Sequence, residues 1–268
     1  MSVDQPKIIG IAGGLGPYAH IEFERLVLAA TARRLGRSPN DQDFPEWVVS
    51  SLPNTPDRTL ALLGQAPSPI PALLRSMQRL ASAGADFGVI PCNTAHAFLD
   101  SLAERSPIPI VDMIAATLNQ VTDRVTTMVD GPATIGLLAT TGTYTARVYH
   151  DRVAATPGLT LISPLDLPAG EQWQEQLVMT PIYGPLHHGA RAGGGIKAGV
   201  HTPQIQAALG QAVELLAGAG AALVICGCTE IPLALGREAW KGIPLVDPME
   251  AVAEHVVSIA AGDEWPFS

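Results

Sequence analysis

Two of the three cysteines in this chain of 268 residues occupy matching positions in an internal repeat. Cys92 lies in the segment Pro-Cys-Asn-Thr-Ala-His, and Cys228 lies in the segment Cys-Gly-Cys-Thr-Glu. Cys228 follows Cys92 by 136 residues, and Gly220 follows Gly84 by the same number. An apolar run typical of a buried strand precedes each cysteine. Since a thiolate can act as a base, a nucleophile or a metal ligand, the repeat predicts a pair of reactive groups.

Two of these chemistries are disfavoured by the number and spacing of the cysteines. An odd, small number of cysteines without a secretion signal does not indicate a disulfide framework. Cys226 and Cys228 share one side of a strand, but Cys-x-Cys is not a zinc spacing and no neighbouring Cys or His pair completes a site. We therefore expect no metal. Cys226, whose counterpart is Ile90, is assigned to packing, because a single buried cysteine is usually a small apolar residue.

The composition limits the partners of this chain. The net charge is −9 and the isoelectric point about 5.2, so we expect no nucleic-acid partner. The sequence has no apolar run long enough to span a bilayer and no signal pattern at its start, so we expect a cytoplasmic protein without a membrane partner. Local arginine and lysine residues can still form a pocket for an anionic small molecule.

The repeat extends beyond the cysteines and predicts an α/β fold. Residues 7–12 and 133–139 are apolar runs typical of buried strands, and each precedes a turn and a segment typical of a helix. We predict two similar, pseudo-twofold, duplicated parallel-sheet α/β domains with the active site in the cleft between them. The predicted N-terminal lobe comprises residues 1–115 and 235–268, and the C-terminal lobe comprises residues 116–234.

Two further helices bear on the site. The pattern predicts one at residues 94–104, directly after Cys92, and another at residues 145–155. The positive end of the first helix would stabilise a thiolate at Cys92.

Five motifs together resemble the aspartate/glutamate racemase family, and in particular its aspartate racemase branch. They are Gly-Gly-Leu-Gly-Pro at 13–17, Pro-Asp-Arg-Thr at 56–59, Pro-Cys-Asn-Thr-Ala-His at 91–96, Ile-Lys-Ala-Gly at 196–199 and Gly-Cys-Thr-Glu at 227–230. The resemblance covers nearly the whole chain. Glutamate racemases usually carry His where this chain has Glu230, and they begin with an Asp-Ser-Gly turn. The glycine-rich residues 184–195 look like an insertion or a lid before Lys197.

The resemblance implies a cofactor-independent racemase that interconverts L- and D-aspartate, or glutamate, and it implies a homodimer. It places Cys92 and Cys228 on opposite faces of the substrate α-carbon. One thiolate removes the α-proton, the other thiol returns a proton, and the roles exchange with the direction of the reaction.

The resemblance also assigns the residues around the two thiols. Arg58 and Lys197 are expected to bind the two substrate carboxylates, although Arg58 is equally placed for a surface ion pair with Asp57. Other substrate contacts are expected from residues beside the thiols or in the turns, and these are Asn93, Thr94, Thr229, Thr141, Asn54 and Gly14. For Asn54 and Thr141, turn formation alone explains the residue equally well. His96 and Glu230 are expected to support the neighbouring thiols, or to make only local hydrogen bonds.

Two alternatives remain open from the residues alone. The first is a related isomerase or decarboxylase of a small carboxylic acid, whose relatives typically alter one cysteine or the carboxylate-binding residues. The second is a non-catalytic dicarboxylate-binding protein, which would be stabilised by its ligand without turning it over. The glycine turn at 13–17 matches the dinucleotide-binding pattern poorly, so a nucleotide site is the weakest interpretation.

Overall fold

The computed structural model describes residues 6–188, 190–191 and 193–263. The chain divides into two compact units. Unit 1 comprises Met1–Ala116 and Met249–Ser268, and unit 2 comprises Thr117–Pro248. Residues 1–5 and 264–268 of the predicted N-terminal lobe, and residues 189 and 192 of the glycine-rich segment, lie outside the described residues.

Unit 1 contains a four-stranded parallel sheet. Its strands are β1 (Ile9–Gly13), β2 (Trp47–Ser51), β3 (Phe87–Val89) and β4 (Ile110–Val111). The first five helices of the chain are α1 (Pro17–Leu35), α2 (Arg58–Leu62), α3 (Ile70–Ser82), α4 (Leu99–Ala103) and α5 (Met113–Met128). The sheet order is β2-β1-β3-β4, and most of α5, from Thr117 onward, belongs to unit 2.

Unit 2 contains a five-stranded sheet and a separate hairpin. Its strands are β5 (Ala133–Ala139), β6 (Leu159–Ile162), β7 (Leu186–His187), β8 (Ala190–Arg191), β9 (Ala221–Gly227), β10 (Ala239–Trp240) and β11 (Ile243–Val246). The following helices are α6 (Thr141–Thr145), α7 (His150–Ala154), α8 (Gly170–Trp173), α9 (Thr180–Tyr183), α10 (Pro203–Gly218), α11 (Ile231–Leu235) and α12 (Pro248–Ala260), with a π-helical turn at Gln174–Met179. Most of α12 returns to unit 1.

The two sheets share one topology. The order β2-β1-β3-β4 of unit 1 is repeated as β6-β5-β9-β11 in unit 2, where β10 adds an antiparallel edge strand. All other pairings within these two sheets are parallel. Cys92 and Cys228 follow the equivalent strands β3 and β9, at their carboxyl ends. The prediction of a duplicated α/β fold is therefore confirmed.

The observed division differs from the predicted lobes at residues 235–248. The prediction placed this segment in the N-terminal lobe, but its strands β10 and β11 extend the sheet of unit 2. Leu245 pairs with Val224 of β9, and both side chains are buried in the core of unit 2. Hydrogen bonds to β9 and shared apolar packing thus hold the segment in unit 2.

Two predicted helices are shorter than expected. In place of the helix predicted at residues 94–104, the structure has a 3₁₀ helix, Asn93–Phe98, followed by the short helix α4. Residues 145–155 do not form one helix, because α6 ends before Arg147, whose φ of 54° is left-handed, and α7 begins after it. The dipole of a long helix therefore does not act on Cys92, since a short 3₁₀ segment aligns few peptide groups.

Apolar side chains fill each unit by the expected periodicities. Phe23, Val27 and Ala30 of α1 pack on the sheet of unit 1 together with Val252 and Val256 of α12. The other face of that sheet is covered by α3, and the core of unit 2 is built from β5, β9 and α10. Burial of one such large side chain contributes about 1.5–3 kcal/mol.

Within the described ranges, no helix combines the length and the apolar character needed to cross a membrane.

Candidate active site

The loop after β3 holds Cys92 in an extended conformation and almost buries its side chain. Cys92 is 6% exposed, with φ of −158° and ψ of 111°. Its N–H donates to the carbonyl of Ile90 at 2.7 Å, and its carbonyl accepts from the N–H of Ala95 at 3.2 Å. These bonds fix the backbone on both sides of the sulfur. Asn93 and Thr94 follow in the 3₁₀ helix with buried side chains.

His96 supports this loop through the main chain. Its Nδ1 lies 3.0 Å from the carbonyl oxygen of Cys92, and its Nε2 accepts the N–H of Met113 at 3.1 Å. Because Nε2 accepts a hydrogen bond and the carbonyl can only accept one, the proton of the neutral ring lies on Nδ1. His96 thus ties the main chain of the Cys92 loop to the start of α5, and its support of the thiol itself stays a prediction.

Arg58 is buried at the first turn of α2. Its guanidinium donates to the carbonyl of Leu15 and, at 3.3 Å, to that of Pro56. Asp57 precedes the helix, and its carboxylate accepts the N–H of Leu60 at 2.9 Å as an N-cap. Arg58 therefore joins two of the motifs from the sequence, the glycine turn after β1 and the loop after β2.

The glycine turn itself is closely packed against the loop after β2. Gly14 has a φ of 91°, and a Cβ atom there would lie 2.6 Å from the carbonyl carbon of Leu52. Its N–H donates to Nδ1 of His20 at 3.2 Å, so His20 occupies the amide that the sequence assigned to the substrate. Asn54 is exposed within a turn that Thr55 closes by donating its N–H to Leu52 at 3.0 Å. Asn54 thus lies at an exposed position of this turn, and its contact with a substrate stays a prediction.

The loop after β9 places Cys228 beside a buried carboxylate. The thiol of Cys228 donates to Oε2 of Glu230 at 3.0 Å, and the hydroxyl of Thr229 donates to the same oxygen at 3.1 Å. The other oxygen, Oε1, accepts a hydrogen bond from Nζ of Lys197 at 2.8 Å. Glu230 is 1% exposed, so its charge is compensated by these three groups. A thiol, a carboxylate and an ammonium thus form one hydrogen-bonded network.

The charges and the burial of this network keep Cys228 protonated at rest. Burial raises the pKa of the Cys228 thiol well above its usual value, and the charge of Glu230 raises it further, while Lys197 acts in the opposite direction. Burial alone would raise the pKa of Glu230, but that pKa is lowered because Lys197, Cys228 and Thr229 stabilise the carboxylate. The resting state is therefore a neutral thiol against an ionised Glu230.

Lys197 has a carboxylate partner within unit 2 that the sequence analysis did not indicate. Lys197 was expected to bind a substrate carboxylate, but in this structure its ammonium pairs with Glu230 and lies 5.4 Å from the ring centre of Tyr183. The two residues of the pair are 33 positions apart, so no local spacing indicated it. Lys197 would have to share its charge between Glu230 and a substrate carboxylate.

Gln174 is a site residue that the sequence analysis missed. It opens the π-helical turn, is 3% exposed, and donates from Nε2 to the carbonyl of Ala139 at 2.9 Å and to Oγ1 of Thr141 at 3.4 Å. The N–H of Thr141 contacts Sδ of Met179 at 3.4 Å. Gln174 thus holds the turn after β5, which corresponds to the glycine turn of unit 1. π-Helical turns occur frequently at functional sites, but the sequence carries no simple signal for one.

Cys226 is a packing residue, as the sequence predicted. It is fully buried within β9, opposite Leu138 of β5, and belongs to the apolar core of unit 2. Burial, and secondarily Asp247, raises the pKa of its thiol, against the smaller effect of Arg237. Such a thiol is inert.

Cys226→Ala is therefore expected to preserve activity. We expect the loss of the sulfur from the core to lower the free energy of unfolding by about 1 kcal/mol. Denaturant unfolding and steady-state rates measure the two effects. A loss of activity in folded Cys226→Ala protein would contradict the assignment.

The described residues contain no group of three or more His, Cys, Asp or Glu side chains arranged to hold a metal ion. The structure thus offers two thiol-bearing loops at equivalent strand ends. Each unit also contributes one cation that is bonded to its loops, Arg58 in unit 1 and Lys197 in unit 2.

The chain is thus a two-unit α/β protein in which equivalent strands of two duplicated sheets are each followed by a cysteine loop. Residues 13–256 match the family model described as Asp/Glu/Hydantoin racemase. The chain belongs to that family.

Individual relatives agree with this assignment. A glutamate racemase from Deinococcus radiodurans is 31% identical over 69% of this chain and 57% of its own length. A broad-specificity amino-acid racemase from Bacillus subtilis is 28% identical over 42% of this chain and 49% of its own length. The chain thus spans about half the length of these curated relatives. The solved structure of an aspartate racemase from Picrophilus torridus shares the fold, with a TM-score of 0.71 and 21% identity over 96% of this chain and 95% of that one.

Proposed function

We propose that this protein is a cofactor-independent racemase that interconverts L- and D-aspartate, with glutamate as the second substrate to be considered. The observation that carries the proposal is the hydrogen bond of 3.0 Å from the Cys228 thiol to Glu230. A buried thiol that an ionised carboxylate keeps protonated is suited to give its proton to a substrate carbanion. The equivalent strand end of unit 1 carries the second thiol, Cys92.

The proposed reaction exchanges one proton at each face of the α-carbon. A thiolate at Cys92 removes the α-proton of one enantiomer and becomes a thiol. The Cys228 thiol then gives its proton to the opposite face of the resulting carbanion and becomes a thiolate. The reverse reaction uses Cys228 as the base and Cys92 as the acid. The numbers of protons and charges balance without an added cofactor.

Two cations support a substrate with two carboxylates. Arg58 is fixed by main-chain carbonyls, and a guanidinium of this kind binds a carboxylate through two hydrogen bonds. We propose that Lys197 binds the other carboxylate while it remains close to Glu230. The protonated amine of the substrate and the fixed cations together lower the energy of the carbanion. Asn93, Thr94, Thr229 and Thr141 complete the proposed substrate contacts.

Solvent exchange tests the proposal directly. Incubation of L-aspartate or L-glutamate in deuterated water, without pyridoxal phosphate, is expected to give the D-enantiomer with deuterium at the α-carbon. Proton NMR measures the exchange and chiral chromatography measures the inversion. Cys226→Ala is the matched control and should behave as the wild type.

An absence of exchange with every amino acid tested would contradict the proposal. Thermal stabilisation by aspartate without exchange would instead identify a non-catalytic dicarboxylate-binding protein.

We also propose that the enzyme works in the cytoplasm as a homodimer. The three free thiols fit a reducing compartment, and the homodimer is what the family resemblance implies. Analytical ultracentrifugation distinguishes a dimer from a monomer.

A further inference from the structure

The glycine-rich segment before Lys197 forms an anchored hairpin. Strands β7 and β8 pair antiparallel, with Leu186 opposite Arg191. Arg191 reaches back to the π-helical turn and binds both carboxylate oxygens of Glu175, at 2.7 and 2.8 Å. It also donates to the carbonyl of Gly184 at 3.0 Å. One arginine therefore fastens the end of the hairpin to the helix that precedes it.

The base of the hairpin is a close crossing of two backbone segments. A Cβ atom on Gly195 would clash with the carbonyl of Ile182, and a Cβ atom on Gly184, whose φ is 88°, would clash with the carbonyl of Gly193. Only glycine permits this approach. Lys197 follows Gly195 by two residues, so the crossing sets where its backbone lies relative to the end of α9.

The ring of Tyr183 connects the hairpin to Lys197. The guanidinium carbon of Arg191 lies 5.8 Å from the ring centre, and Nζ of Lys197 lies 5.4 Å from it. Each cation also has its own carboxylate, Glu175 for Arg191 and Glu230 for Lys197. The ion pair of Arg191 with Glu175 offsets the repulsion between the two cations, so both can contact the ring and together fix its position beside Lys197.

We propose that Arg191 is a positioning residue for the Cys228 site, which holds Tyr183 and thereby keeps Lys197 against Glu230. The proposal rests on the proposed function and gives the hairpin a role in it. Arg191 itself does not touch the thiol. Its effect passes through Tyr183, Lys197 and Glu230 to Cys228, and each of these contacts is present in the structure.

Loss of Arg191 has a defined electrostatic consequence. Without the guanidinium, Tyr183 loses one of its two cations, and Glu175, which keeps the hydroxyl of Thr180 as a partner, no longer fastens the hairpin. The Lys197 ammonium is then less firmly held at Glu230. Since Lys197 favours the thiolate of Cys228, its displacement raises the pH at which that thiol ionises.

The pH dependence of Cys228 alkylation tests this role. Alkylation by iodoacetamide is followed at each cysteine by peptide mass spectrometry between pH 6 and 11. Arg191→Met is expected to shift the midpoint for Cys228 upward, in the same direction as Lys197→Met but by less than the roughly one to three pH units expected for the loss of Lys197 itself. Arg191→Lys, which keeps the charge, is expected to recover part of the shift. Cys92, in the other unit, is the internal reference in every sample.

Lys241→Met is the matched control. Lys241 also lies over an aromatic ring, at 5.8 Å from the centre of Trp240, and also pairs with a carboxylate, Glu214 at 2.7 Å. Lys241 takes no part in the series of contacts that links Arg191 to Cys228, so its loss is expected to leave the Cys228 midpoint unchanged. Thermal unfolding of each variant establishes that it is folded.

Two results would overturn the proposal. One is an unchanged Cys228 midpoint in folded Arg191→Met protein, and the other is an equal shift in Lys241→Met. Neither result depends on turnover, so the racemase assay remains a separate test. A shift in Arg191→Met with no racemase activity in the wild type would reject the proposed function and leave the positioning role standing.

Discussion

Replacement of either Cys92 or Cys228 by alanine is expected to leave an enzyme that exchanges the α-proton of one enantiomer only. A single remaining thiolate can remove and return a proton on its own face, where the proton mixes with solvent. It cannot deliver a proton to the opposite face. Inversion should therefore fall by about 10²–10⁴-fold, the usual contribution of one general acid or base.

The two variants are expected to act on opposite enantiomers. In deuterated water, Cys92→Ala should label one enantiomer of aspartate and Cys228→Ala the other, each with retention of configuration. Proton NMR of the separate L- and D-substrates measures this directly. Labelling of the same enantiomer by both variants would contradict the assignment of one thiol to each face, whereas Cys226→Ala should label and invert both.

The duplicated fold was predictable because its signal is local and repeated. Strands β3 and β9 are short apolar runs, each preceded by a glycine turn and followed by a cysteine, at a constant offset of 136 residues. Parallel pairing then places both cysteines at carboxyl ends. Residues 235–248 were misplaced because a two-residue antiparallel strand such as β10 has no pattern of its own, and only its pairing assigns it to a unit.

The contacts of the site were less predictable than its residues. Cys228, Glu230 and Lys197 were all identified, but the ion pair between Glu230 and Lys197 joins residues far apart in the chain and depends on the hairpin between them. Likewise, Gln174 and Tyr183 carry no motif. Their roles arise from the π-helical turn and from the close crossing at Gly195, which are tertiary features that periodicity does not encode.

The segment after Cys92 also could not be predicted correctly from local sequence alone. Its composition is compatible with a helix, and the sequence predicted a helix dipole acting on the thiol. The structure instead forms a 3₁₀ segment that His96 ties to the N–H of Met113. Local composition does not encode this contact with another element, and the Cys92 loop is held by main-chain hydrogen bonds.

Glu230→Gln and Lys197→Met are expected to move the ionisation of Cys228 in opposite directions. Glu230 disfavours the thiolate, so its neutral amide should lower the pKa of the thiol, and Lys197 favours the thiolate, so its loss should raise that pKa. A unit charge within about 4–6 Å of a titrating group is worth about one to three pKa units. Alkylation of Cys228 as a function of pH measures both shifts, with Cys92 as the reference.

The reactivity of Cys228 therefore reports on the hydrogen-bonded network of Cys228, Glu230 and Lys197 even when no substrate turns over. At a pH below the thiol pKa, a shift of one unit changes the alkylation rate by only about threefold, because a more acidic thiolate is also a weaker nucleophile. The midpoint of the pH profile is consequently the quantity to compare. Lys197→Met also leaves Glu230 as a buried charge without its cation, which should cost about 3–5 kcal/mol of stability. Shifts of the same sign in the two variants would show that Glu230 and Lys197 do not act on Cys228 by their charges.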